Sequence, residues 1–193
     1  MPGFGRAPFL SNSISTEFQM TITIQQPLGE YNVISDDRAL GQIACFQDQD
    51  RTDPNAPYVL SGTPVYAVLC KNSKGGTLTP GLGYTYKSGK IGKEVDALSG
   101  ANAICDGVAD PFVSGTIPDG AYFWLVIQGP IKVKAAAGGI TANAEVQTAA
   151  NGLFVDGTAG TNPIGHCGKA NEAATSGNFA RIYFRSPFAA VKP

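Results

Sequence analysis

The sequence predicts an all-β fold, a barrel or a sandwich, and three observations predict it. No stripe of apolar residues at i, i+3, i+4 and i+7 persists anywhere in the 193 residues, so helix signals are nearly absent. Short runs of alternating or continuous apolar residues recur instead, many of them β-branched or aromatic. Turn formers separate the runs: with 24 Gly and 13 Pro, few windows are long enough for a helix to propagate.

Taken in order, residues 1–18 are rich in Gly, Pro, Ser and Asn but carry Phe4, Phe9, Leu10 and Phe18. These are too apolar for a purely solvated tail, so the segment is read as an extended N-terminal arm whose Phe4, Phe9 and Phe18 dock on a neighbour. Residues 19–193 are expected to form one β-rich domain, and 95–100 is where it would divide if there were two units. Met20, Ile22 and Ile24 alternate with Thr21, Thr23 and Gln25, a half-buried strand. Residues 40–46, 64–71 and 84–86 read as further strands. Residues 48–57, 72–83 and 135–142 read as loops, the last because Gly138 and Gly139 interrupt its alanines.

The second half states one theme twice. A short Gly-bearing strand at 104–109 leads through a loop to the apolar run 120–130, which ends at Pro130. Residues 164–170 then lead through a polar loop to 177–187, again aromatic and again ending at a proline. Two such hairpins would face each other in a sandwich or barrel. Residues 131–134 have one apolar and one charged face. Asn151-Gly152 predicts a hairpin turn between Val146 and the run Leu153, Phe154, Val155. On the run from Tyr122, alternation puts Tyr122, Trp124 and Val126 on one face and Phe123, Leu125 and Ile127 on the other. A strand apolar on both faces lies between two layers or at an interface, so Tyr122 and Trp124 are candidate interface residues.

Charged residues are only 15% of the chain, thin cover for a lone soluble domain, which favours an assembly that hides much of the surface. With a net charge of −1, no basic excess points to nucleic acid, and Lys87, Lys90 and Lys93 read as a solvated loop. No apolar run is long enough to span a bilayer, so no membrane partner is expected. The first residues lack a secretory leader's basic and apolar regions. Synthesis and retention in the cytoplasm, or release only by cell lysis, is the expectation.

Reactive chemistry is sparse. The four cysteines, Cys45, Cys70, Cys105 and Cys167, have no C-x-x-C pairing, and His166 is the single histidine. A zinc site needs closer ligand pairs, so buried free thiols are expected. His166 and Cys167 are adjacent, and neighbours on a strand point to opposite faces rather than converging. Asp36, Asp37, Asp48, Asp50, Glu94 and Asp96 lie in turn-like contexts and read as solvated carboxylates rather than a glycosidase pair. The run from Asp48 to Asp53 has the alternating oxygens of a calcium loop, but it lacks the central Gly and distal Glu and contains Arg51. No catalytic residue, metal or cofactor is expected, and the chain reads as non-enzymatic.

The segment Tyr122, Trp124, Gly129, Pro130 resembles a "Y-x-W-x-x-x-x-G-P" element of small β-rich virion proteins of tailed phages. In those proteins an Ala/Gly/Thr-rich stretch, an N-G turn, an "I-G-x-x-x-x-A" element and a terminal strand follow. Here these are residues 135–148, Asn151-Gly152, residues 164–170 and residues 180–185. The resemblance covers about residues 100–187 and implies a capsid-associated role, with decoration (cement) proteins the nearest analogy. It further implies a homo-oligomer, often a trimer, that braces the major capsid protein on the virion surface. A tail or receptor-binding component, with Trp124 as a sugar platform in a carbohydrate-binding β-domain, is the alternative.

Overall fold

The structure is a computed structural model that describes residues 28–32, 34–50, 58–158 and 165–186. The expected arm at 1–18, with Phe4, Phe9 and Phe18, and the expected strand at 20–25 lie outside the described residues. Within them there is no α-helix, only 3-10 turns at Asp37–Ala39 and Ala150–Gly152. The strands are β1 (Ile43–Asp50), β2 (Tyr58–Asn72), β3 (Gly83–Tyr86), β4 (Glu94–Asp96) and β5 (Gly107–Ala109). They continue with β6 (Tyr122–Lys134), β7 (Glu145–Thr148), β8 (Phe154–Asp156), β9 (His166–Ala170) and β10 (Phe179–Arg185). The described residues are all-β, as the patterning predicts.

The sheet runs β1-β2-β4-β3-β5-β6-β10-β9-β7-β8, and a further β2–β6 pairing closes it on itself. Strands β2, β4, β3, β5 and β6 therefore form a small ring, while β10, β9, β7 and β8 extend from the far half of β6. The expected barrel is present as a ring at one end of the sheet, and the other end is an open layer of the same sheet.

Strand β6 joins the two parts, and its period of two explains how. Phe123 and Leu125 point into a core with Val68, Cys70, Tyr84 and Val95, which fills the ring. Trp124 and Val126 point the other way, into a larger core with Phe46, Val65, Phe154, Ile182 and Phe184. The strand is thus apolar on both faces because it separates two cores. At Ile127 the β2–β6 register slips, Tyr66 facing Gln128 while Ala67 faces Val126. One extra residue reverses the alternation, so Ile131 and Val133, now odd-numbered, enter the larger core and Lys132 and Lys134 turn outward. Gly129 permits the bend: its φ is +114°, and a Cβ there would lie 2.5 Å from the Pro64 carbonyl oxygen.

Several boundaries differ from the sequence expectation. Strand β6 runs through Gly129-Pro130 instead of stopping there, and Pro130 sits opposite Tyr183 of β10. The paired motifs are two antiparallel pairs, β5–β6 and β9–β10, but they lie side by side through β6–β10 rather than face to face. Residues 48–50 belong to β1, not to a loop. Strand β4 lacks a pattern of its own and is held between β2 and β3. The Asn151-Gly152 turn is as predicted, with φ of +60° and +77° linking β7 to β8.

Candidate interaction surface

Among the described residues, no group of three or more His, Cys, Asp or Glu could hold a metal ion. His166 is half-buried, with Nδ1 3.1 Å from Glu145 Oε2. Cys167 points into the larger core, its thiol donating to the Val146 carbonyl at 3.6 Å. The two neighbours diverge, and no nucleophile–base pair forms between them. Burial pushes the Cys167 thiol up to about 12, and holds Cys70 and Cys105 well above the ordinary thiol range, with lesser effects from nearby Asp106. Such thiols are poor nucleophiles. Cys45 departs from the core expectation: it is exposed on β1.

The carboxylates do not converge on a site. Asp36 is bonded to Arg38 at 2.9 Å, and Asp37 accepts from Tyr122 Oη at 2.6 Å and Lys71 Nζ at 3.3 Å. Glu94 accepts from Ser73 Oγ at 2.8 Å. Asp48, read from sequence as a solvated loop residue, is instead 6% exposed and ion-paired with Arg181 of β10, with Ser61 Oγ 2.5 Å away. A carboxylate committed to an arginine and a hydroxyl inside the protein is not a loop ligand for calcium.

Tyr122 and Trp124 end in different places. Tyr122 is half-buried at the start of β6, directly opposite Lys71, whose ammonium lies 5.2 Å from its ring centroid. With Asp37 it fastens the 3-10 turn to the sheet. Trp124 is only 5% exposed and meets Phe46 edge-on, with centroids 5.3 Å apart. An indole filling a core has no open face on which a sugar can stack.

What does lie open is sheet surface. The outward side of the β6–β10 pair places Lys134 opposite Phe179, Lys132 opposite Arg181, Pro130 opposite Tyr183 and Gln128 opposite Arg185, with Pro130 buried and Arg181 largely covered. Lys169 of β9 lies beside Tyr183 on the other edge of β10. Phe179 is 46% and Tyr183 38% exposed. The sequence gives little sign of this grouping, because its cations come from strands up to 53 positions apart and no two are adjacent.

No protein-family model and no curated protein matches the chain. A solved structure does. The chain is similar to the N base of the head fibre gp8.5 of bacteriophage phi29. The TM-score is 0.46 and the identity 14%, over 74% of this chain and 94% of that one.

One cleft adjoins the exposed face. Residues of β1, β2, β6 and β10 line it, among them Asp48, Leu60, Pro130, Ile131, Lys132 and Arg181. Asp48 and Arg181 are engaged with each other and Gln49 with Gln47, while Lys132 lies at the same cleft without an ion pair among the described residues.

Proposed function

We propose that this chain is a non-enzymatic structural component of a tailed-phage virion, a decoration protein that binds major capsid subunits and stabilises the head. Two kinds of support lead there. Residues 100–187 resemble small β-rich virion proteins in the order and spacing of their motifs. The observation that carries the reading furthest is how the described residues are used. Two apolar cores hold a sheet that leaves Phe179 and Tyr183 exposed among cations, and the thiols, histidine and carboxylates are dispersed or committed to structural bonds.

Many copies, each contributing a modest contact, would resist expansion of a pressurised shell more effectively than a few strong ones. Residues 1–18 act as the latch between neighbouring copies through Phe4, Phe9 and Phe18, and the assembled unit is a homo-oligomer. The experiment is reconstitution: particles lacking the chain are mixed with purified protein and sedimented. Saturable co-sedimentation, reduced by deletion of residues 1–18 while the domain stays folded, is the expected result. Protein that stays in the supernatant at every concentration rejects the proposal.

A further inference from the structure

We infer that the outward side of β6 and β10, with Lys169 of β9, is the surface that docks on the particle, and that its partner is an acidic protein surface. This rests on the docking function proposed above and deepens it by naming the face and the chemistry it meets.

An outward sheet face in a soluble domain ordinarily interleaves both signs of charge. Here β6 and β10 turn Gln128, Lys132, Lys134, Phe179, Tyr183 and Arg185 outward with no acid among them, while Pro130 is buried and Arg181, at 16% side-chain exposure, is largely covered by its pair with Asp48. Lys132 stands directly across from Arg181, and like charges in that position repel. The chain relieves this in part: Asp48 reaches Arg181 from β1, and Glu145 lies across from Lys169 while engaging His166. Lys132 and Lys134 make no ion pair among the described residues. Five of the chain's 14 cations belong to these three strands, so in a chain of net charge −1 this face carries a local field opposite to the overall one.

The face also has the mixed character of a contact patch. Phe179 and Tyr183 are partly exposed beside Arg181 and Arg185, and aromatic rings with arginine are the residue types enriched at interfaces. A nucleic acid would find aromatics and cations too, but it is drawn by long-range positive charge, which this chain lacks. An acidic protein surface needs only short-range complementarity, which the face supplies.

The test uses the same reconstituted particles. Binding of wild-type protein is measured as sodium chloride is raised, beside a K132E/K134E/K169E variant and a K93E control that reverses an exposed lysine off this face. Unchanged unfolding midpoints establish that each variant is folded. The expected result is wild-type binding that weakens steeply with salt, a variant about tenfold or more weaker at low salt with a flatter salt response, and an unaffected control. Equal binding by wild type and the triple variant overturns the face assignment and leaves particle docking standing. Absence of wild-type binding in any salt overturns both. Binding of a thymidine oligonucleotide by free wild-type protein, lost in the triple variant, assigns the face to nucleic acid and overturns the acidic-protein partner.

Discussion

Asp48 of β1 and Arg181 of β10 form an ion pair across 133 positions of sequence, with both side chains largely out of water. It joins the first strand of the sheet to the strand that lies next to the ring on its other side. Its desolvation makes it costly to break by halves. Asp48→Ala leaves an arginine buried without its carboxylate and is expected to destabilise the domain by about 3 kcal/mol, at the lower end for a buried pair. Urea unfolding measures it, and Asp48→Ala/Arg181→Met should recover much of the loss. If the single variant unfolds at the wild-type midpoint, the pair is not a structural tie.

Trp124→Ala is expected to cost about 3–5 kcal/mol, because it empties a large volume beside Phe46. Trp124 is the only tryptophan, so its emission should be that of a buried indole and shift to the red on unfolding. Emission already at the solvent-exposed wavelength in the folded protein would contradict its placement.

The thiols separate by environment. At pH 8 in native buffer a disulfide reagent such as DTNB should modify Cys45 quickly and spare Cys70, Cys105 and Cys167, whose burial disfavours the thiolate. In denaturant all four should react. More than one fast thiol in the native state would show that the cores are open.

Acid should weaken the fold only gradually. Hydrogen bonds from Arg38 to Asp36, from Tyr122 and Lys71 to Asp37, and from Ser73 to Glu94 hold these carboxyls below their ordinary range. A group lowered in the folded state contributes stability above its unfolded value and loses it as pH falls through the folded one. All three are solvent-screened, so the loss below about pH 4 should be shallow, and Asp37→Asn should make it shallower still. Urea midpoints from pH 6 to pH 2.5 test this; a steep loss above pH 5 would point to other groups.

Much of the fold is legible in the sequence because it is written locally. The alternation around Trp124 reveals two buried faces, and Asn151-Gly152 reveals the β7–β8 turn. What escapes is set by distant partners. Asp48 looks like a loop residue until Arg181 arrives, and Glu94–Asp96 becomes a strand only between β2 and β3. The β6 bulge at Ile127, which turns Lys132 and Lys134 outward, depends on register against β2. The cationic face is invisible for the same reason: Lys132, Lys134, Lys169, Arg181 and Arg185 form no run, and the pairing of three strands gathers them.

Cryo-electron microscopy of purified particles tests the central claim most directly. The account predicts repeated density for this sheet on the shell, with Lys132, Lys134, Tyr183 and Arg185 turned toward an acidic patch of the capsid subunit. Particles with no density and no peptides from this chain, alongside abundant free protein in the lysate, would contradict it.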